Sequence, residues 1–268
     1  MDTPAQPATP TSPVEIFSIG TELLLGRIQD SNSFWIAQQV AALGATLARI
    51  TIVGDDRAVI REALREALDR GARTVITSGG LGPTPDDLTV ECVAELFGVG
   101  TTVYRPALDD YLRRRAIREE DLSPALIRMA TVPEGADVLL NPAGWAPCMC
   151  LRRGDTTLFL LPGPPAEMEA VFDRYLHDHF GGGNAGLSLA RRVYVNMHEG
   201  ELAPFASQVM DAVPGTYIKG YIGIRNQERL PVDVVVRGND EADAQANLER
   251  AVTMLGDLVT GFGRQLVG

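Results

Sequence analysis

The chain has 268 residues, 45% hydrophobic and 22% charged, a globular composition with apolar mass for one large or two smaller cores, which excludes a disordered chain. Its 24 basic and 35 acidic side chains leave a formal net charge of −11, so the broad positive surface that captures nucleic acid is missing. No run of eighteen apolar residues occurs and the N-terminus shows no basic or apolar leader segment, which reads as a cytoplasmic protein with no membrane partner. Cys92, Cys148 and Cys150 supply no disulfide framework, and Cys148 with Cys150 falls short of a tetrahedral zinc site.

Residues 1–13 carry Pro4, Pro7, Pro10 and Pro13, a three-residue spacing that suits an extended polyproline tail with nothing to bury, so the tail is read as disordered. From Val14, short apolar runs alternate with helical patterns, the signature of a parallel sheet covered by helices on both faces. The first run, Val14 to Ile19, ends at Gly20; the polar turn Asp30 to Ser33 then offers N-cap side chains to a helix reaching about Leu43. A second strand, Thr46 to Val53, leads through Gly54-Asp55-Asp56 into a helix with Ile60, Leu64 and Leu68 on one face. A third strand, Thr74 to Thr77, delivers the chain into SGGLGPTPDDLT, followed by a helix from Leu88 to Phe97.

Two helical segments near Leu108 to Ala116 and Ser123 to Met129 follow; the run Arg113-Arg114-Arg115 reads as a solvated helix face before it reads as a phosphate clasp. Strands are expected at Asp137 to Leu140, Met149 to Arg152 and Thr157 to Leu161, the last meeting Pro162-Gly163-Pro164-Pro165 and a helix to about His179. The glycines at 181–183 mark a boundary. Beyond it a smaller α+β domain, 185–268, reads strand (Arg191 to Met197), helix (Leu202 to Ala212), strand (Thr216 to Arg225), strand (Pro231 to Arg237) and helix (Glu241 to Thr260). His177, His179 and His198 read as surface positions and Cys92 as a core thiol.

In an open parallel sheet, ligands bind beyond the carboxyl ends of the strands, where helix N-termini point free N–H groups outward. The loop after the third strand is the most informative: Gly79, Gly80 and Gly82 let backbone amides approach a phosphate, and Asp86 and Asp87 open the helix that follows. Carboxylates beside a phosphate repel it unless a cation stands between them, which implies a divalent ion, magnesium or manganese, held by Asp86 and Asp87 with Asp55 and Glu22 as supplements. One such Asp, or Thr84, also serves as a plain helix cap. Lys219, the single lysine among 24 basic side chains, is a candidate substrate contact. The spacing Gly220-Tyr221-Ile222-Gly223 matches a KH loop but reads first as a bend between strands.

Four ordered segments, EIFSIGTELLLG (Glu15 to Gly26), TSGGLGPTPDDLT (Thr77 to Thr89), NPAGWAP (Asn141 to Pro147) and LLPGPPAEM (Leu160 to Met168), closely resemble the N-terminal part of the competence/damage-inducible protein A (CinA) family, within the MoaB/MogA/MoeA-like molybdopterin-binding superfamily. The resemblance implies a three-layer α/β/α fold with a mostly parallel sheet over 14–180, a KH-like second domain, and an oligomer, taken as a homodimer. For CinA-type members it implies a metal-dependent hydrolase that splits ADP-ribose into AMP and ribose 5-phosphate, with magnesium, manganese, cobalt or nickel as the ion. It places the acidic residue of the superfamily signature at Asp87, its threonine at Thr89, and the acidic residue after the second strand at Asp55. Catalysis is then expected from Asp87, Asp86 and Asp55, with Glu22 as a further metal ligand or base. Thr21, Asn32 and Ser33 are expected on ribose or phosphate, with Gly163 and Pro162 on the opposite wall. Leu81 stands where molybdopterin enzymes carry threonine, and Cys148 replaces a small glycine in a position expected to narrow the pocket. The chain ends at Gly268, so it resembles a member without the C-terminal deamidase domain. Two alternatives stay open: a pterin-handling adenylyltransferase or metal-insertion enzyme, and a nucleotide-binding module without turnover.

Overall fold

The structure, a computed structural model, describes residues 12–116, 118–181, 187–224 and 229–268. Most of the tail read at 1–13 and of the boundary read at 181–184 falls outside them. Ser12 and Pro13, read as part of the tail, are tied to the sheet instead: Thr46 N donates to Ser12 Oγ at 2.8 Å, and Arg73 N to the Pro13 carbonyl at 2.9 Å. The chain divides into two compact units, Met1–Ala41 with Ala45–Gly183, and Ala42–Gly44 with Asn184–Gly268.

The first unit is built on a six-stranded sheet in the order β2-β1-β3-β8-β7-β6, from β1 (Val14–Ile19), β2 (Leu47–Val53), β3 (Thr74–Ser78), β6 (Asp137–Leu139), β7 (Cys148–Arg153) and β8 (Thr156–Leu161). The strands β2, β1, β3 and β8 run parallel, while β7 is antiparallel to both β8 and β6. Every residue of β1 and of β3 is buried, as central strands covered on both faces are, including the polar Glu15, Ser18, Thr74, Thr77 and Ser78; β2, at the sheet edge, is mostly exposed. Alternate residues of each strand serve opposite layers. Phe17, Ile19, Val75, Leu158 and Leu160 pack with α3 (Arg57–Asp69) and α4 (Thr89–Phe97). On the other side stand α2 (Asn32–Ala42) and the segment formed by α7 (Pro165–Val171), a π turn at 172–176 and α8 (His177–Gly181), joined where the Trp35 ring meets the edge of Phe172. This is the three-layer, mostly parallel α/β/α architecture that the resemblance implies.

Local chemistry explains the boundaries. Asp56 caps α3 by accepting from Ala58 N and Val59 N, worth about 1 kcal/mol. Its buried face is Ile60, Leu64 and Ala67, with Leu68 only half-buried. Helix α4 ends where Gly98 turns left-handed at φ +69°. A short helix, α1 (Thr21–Leu24), follows β1 directly. A side layer combines α5 (Arg105–Arg115), α6 (Pro124–Met129) and the two-stranded ribbon of β4 (Thr101–Val103) and β5 (Thr131–Pro133), with Ala107, Leu108, Tyr111, Leu126 and Ala130 as its own small core.

The arginine run is not a uniformly solvated face. Arg113 and Arg114 both pair with the buried Asp110, and Arg114 reaches further, to the carbonyls of Asn141 and Gly144. His179, expected on the surface, packs edge-on against Phe159 and Phe180 with Nε2 3.1 Å from Thr74 Oγ1, because the π turn alters the helical phase and swings it toward the sheet.

The second unit runs β9 (Leu187–Val195), α9 (Glu199–Ala212), β10 (Tyr217–Gly220), β11 (Leu230–Gly238), α10 (Glu241–Gly261) and β12 (Leu266–Val267). Its sheet has the order β10-β11-β9-β12 with every pair antiparallel, the ferredoxin-like split βαβ arrangement, in which the two-residue closing strand β12 adds to the expected order of strand, helix, strand, strand and helix. The strand expected at Thr216 to Arg225 stops at Gly220, where a 3₁₀ turn at Ile222–Ile224 takes the chain out of the ladder.

Candidate functional site

The parallel strands deliver their following loops to one edge of the sheet, where a cleft of about 700 Å³ opens. Three hydrogen-bonded junctions give that edge its shape. At the first, the loops after β1 and β2 close on each other: Asp55 Oδ2 accepts from Thr21 N at 2.6 Å, and Thr21 Oγ1 accepts from Asp55 N at 3.0 Å. At the second, Asp30 accepts from Ser18 Oγ at 2.7 Å, Ser33 N at 3.0 Å and Ser33 Oγ at 2.5 Å, fixing the start of α2 against β1. At the third, Asn32 Nδ2 donates to Ser78 Oγ at 2.8 Å and to the Gly163 carbonyl at 2.7 Å, so one side chain ties the end of β3 to the loop after β8 at the start of α2. Its Oδ1 is buried with no hydrogen-bond partner.

The glycine loop after β3 is held at Gly79, whose N donates to the Leu161 carbonyl at 3.1 Å and whose carbonyl accepts from the buried Thr89 hydroxyl at 2.9 Å. Gly79 and Gly80 have φ of +105° and +68°, and an added Cβ would stand 2.2 Å from the Ile19 carbonyl oxygen in the first case and 2.1 Å from Thr89 Oγ1 in the second. Both the left-handed backbone and the close packing demand glycine. Asp86 and Asp87 lie in the turn before α4, whose N-cap is Leu88 without a side-chain bond, and so do not form the helix's first turn as expected. Asp87 Oδ2 accepts from Thr84 N at 2.8 Å and Thr84 Oγ1 at 2.5 Å, and its carbonyl accepts from Arg128, which also pairs with Glu91 at 2.9 Å. A hydrogen bond from the Thr84 side chain, with one from the backbone, holds the exposed Asp86 carboxyl below the usual range.

Of the expected site residues, Glu22, Asn32, Asp55, Gly79, Gly80, Gly82, Asp86, Asp87 and Gly163 line the cleft together, with Pro162. Thr21, Ser33 and Thr89 are not among the lining residues: Thr21 Oγ1 accepts from Asp55 N, the Ser33 hydroxyl donates to Asp30 and the Thr89 hydroxyl to the Gly79 carbonyl, which shapes the loops around the cleft. Lys219 stands in the second unit, its ammonium 2.9 Å from Glu199. Cys148 is wholly buried in β7 and does not narrow the cleft, and burial pushes its thiol well above the usual range. The lining also includes Ser18, Asp30, Met129, Trp145 and Glu167, which sequence reasoning did not assign. Asp30 had shown itself only as a turn residue and Trp145 only as part of NPAGWAP.

The electrostatics are one-sided. Glu22, Asp30, Asp55, Asp86, Asp87 and Glu167 line the cleft and no lysine, arginine or histidine does among the described residues. No group of three or more His, Cys, Asp or Glu side chains among them forms a ready-made metal cage. Asp86 and Asp87 beside the glycine loop fit the other mode of holding magnesium, in which one or two carboxylates share the ion with substrate phosphates. No helix among the described residues is long and apolar enough to cross a membrane.

Comparison with known proteins identifies the family. The sequence model of the family described as "Probable molybdopterin binding domain" matches residues 15–180. A protein of Pyrobaculum arsenaticum is 33% identical over 251 residues, 91% of this chain and 93% of its own. A CinA-like protein of Trichormus variabilis is 34% identical over 240 residues, covering 82% of this chain but 55% of that protein. Among solved structures, the protein CinA of unknown function from Thermoplasma acidophilum is 33% identical with a TM-score of 0.58, covering 62% of this chain and 96% of that one.

Proposed function

The chain belongs to the molybdopterin-binding domain family, in its CinA-like branch, and from that premise we propose that it is a metal-dependent pyrophosphohydrolase that cleaves ADP-ribose or a close relative into AMP and ribose 5-phosphate. The observation that carries the reading is the pairing of a glycine cradle with a cleft lined by carboxylates and free of basic side chains among the described residues. A diphosphate can lie against Gly79 and Gly80 only if its charge is offset, and in this cleft the offset has to come from a cation.

In this reading the backbone of the glycine loop beyond Gly79, whose own N–H is taken by the Leu161 carbonyl, orients the diphosphate, and Asp86 and Asp87 hold the divalent ion against it. When bound, the ion polarises a phosphoryl oxygen and lowers the pKa of a water. Thr84 keeps Asp87 aimed by occupying one carboxylate oxygen, and Arg128 fixes the backbone of the same residue. Asp55 is tied through Oδ2 to Thr21 N, which leaves Glu22 as the freer candidate to accept a proton from the attacking water. Incubation with ADP-ribose and magnesium, manganese, cobalt or nickel should yield AMP and ribose 5-phosphate. Asp87→Asn keeps an oxygen for Thr84 to bond but halves the local charge, so it should lose metal-dependent turnover with an unchanged melting temperature. No product with any ion would refute the hydrolase.

The family's own description favours a second reading, a pterin-handling enzyme, which copurified pterin fluorescence would support. We also retain the homodimer as a proposal: Leu24, Leu25, Ile28 and Phe34 are 60–68% exposed, and a second copy would cover them; a monomer by sedimentation would refute it.

A further inference from the structure

The cleft has two chemically different ends, and sheet order decides which loops form each. On the β1 and β2 side of the glycine loop stand the carboxylates Glu22 and Asp55. On the β8 and β7 side stands the segment 141–147, which enters the cleft edge because β7 is antiparallel and so begins where β3 and β8 end. Here the lining is Trp145 with Met129 and Ala146, beside the Glu167 carboxylate that Asn141 holds.

The Trp145 loop is pinned unusually firmly for a connection. Asn141 Oδ1 accepts from Ala143 N at 2.9 Å and Gly144 N at 2.8 Å, and its Nδ2 donates to the Ala146 carbonyl and to Glu167 Oε2, each at 3.0 Å. Tyr111 Oη donates to the Trp145 carbonyl, and Arg114 bonds the carbonyls of Asn141 and Gly144. A Cβ on Gly144 would fall 1.7 Å from Glu167 Oε2, so the Glu167 side chain packs directly over the loop. The indole itself is braced by the edge of Tyr111, ring centroids 5.5 Å apart, and by the Arg114 guanidinium 5.4 Å from its centroid. The result is a half-buried aromatic ring whose orientation is settled before any ligand arrives, so stacking on it costs little further ordering.

Resting on the reading above, we propose that Trp145 is the platform on which the substrate's planar nucleobase stacks, so that the cleft binds its ligand in one direction: base toward β7, diphosphate on the glycine loop, and the remaining sugar toward Glu22 and Asp55. Trp145 thereby sets specificity for nucleotides over sugar phosphates. Met129 completes the apolar end with a thioether, a side chain that adapts to an aromatic edge.

The chain's two tryptophans allow a direct test, since Trp35→Phe leaves Trp145 as the only indole. With magnesium present, AMP should change Trp145 emission saturably, while ribose 5-phosphate, which has no base, should leave it unchanged. Trp145→Ala should weaken AMP binding in calorimetry roughly tenfold, the loss of one aromatic–base stack, and leave ribose 5-phosphate binding unaltered. Trp145→Phe should recover most of the loss, which a purely structural role of the indole would not predict. AMP binding by calorimetry without any emission change, and with wild-type affinity in Trp145→Ala, overturns the platform while sparing the nucleotide reading. Absence of AMP and ADP-ribose binding to the wild-type chain overturns both, and a pterin that alters Trp145 emission where AMP does not overturns the nucleobase assignment.

Discussion

Gly79→Ala tests the glycine loop where the backbone itself is the obstacle. The residue sits at φ +105°, a conformation that costs an L side chain about 1–3 kcal/mol. The new Cβ would also stand 2.2 Å from the Ile19 carbonyl oxygen, so the end of β1 or the loop must retreat by about 1 Å to restore ordinary contact. The loop cannot retreat without stretching its bonds to Leu161 and Thr89, at about 1 kcal/mol for each bond lost. Together these give a destabilisation of about 3 kcal/mol or more, and for a unit of this size a melting temperature lower by roughly 6–12 °C. Both tryptophans lie in the first unit, so indole emission on heating or in urea follows that unit specifically. Gly163→Ala is the control, since its Cβ would meet nothing nearer than the Gly79 Cα at 3.5 Å. Gly82→Ala should fall between, because the atom it meets, 2.6 Å away, is the end of the Asp87 side chain, which can swing aside. Equal melting of Gly79→Ala and Gly163→Ala would refute the claim that close packing, rather than ligand contact alone, requires glycine here.

Other elements yield sharp expectations. Glu15 is buried in β1 and its only described charge partner is Arg70, which bonds both its oxygens at 2.9 and 2.7 Å and is itself held strongly protonated; Arg70→Met should cost about 3 kcal/mol by urea denaturation, whereas Glu15→Gln with Arg70→Met should recover much of it. Burial lowers the His179 pKa to about 4, so the folded chain refuses a proton that the unfolded chain takes up near pH 6.5. Nothing is lost above pH 6.5; as pH falls from there toward 4 the wild type should lose about 2–3 kcal/mol relative to His179→Gln, and parallel stability curves for the two would count against it. Cys92 and Cys150 are pushed up to about 11 and Cys148 further, mainly by burial, so native protein at pH 8 should resist iodoacetamide and label at all three positions only after unfolding.

What could be read from the residues follows from the range of the interactions involved. The central strands β1, β3 and β8 announce themselves as short, mainly apolar, β-branched runs because they are buried on both faces, and the edge strand β2, though mostly exposed, carries the same β-branched signature. Strand direction leaves no such mark: Met149 and Leu151 look the same in either orientation, and the antiparallel setting of β7 depends on the short turn at Gly154 that joins it to β8. The ribbon of β4 and β5 stayed hidden because three residues carry no periodicity and their partners lie some thirty positions away.

The site divides along the same line. Glycines and paired aspartates are local signals, so the loop from Gly79 to Asp87 stands out in the sequence, while the partners of the Thr21, Ser33 and Thr89 hydroxyls do not, because a hydroxyl's partner is settled only by the fold. Arg114 shows the difference most clearly. Among three adjacent arginines nothing singles it out until α5 places Asp110 one turn behind it and the fold brings Asn141, Gly144 and Trp145 alongside. Its removal should therefore act at a distance. Arg114→Ala frees two loop carbonyls and one face of the indole, so it should loosen the Trp145 wall and raise the KM for a nucleotide more than it lowers kcat, while Arg113→Ala, whose side chain is 77% exposed, should change neither. Equal effects from the two arginines would show that the run acts as undifferentiated surface charge, and the argument that a pinned loop organises this end of the cleft would fail with it.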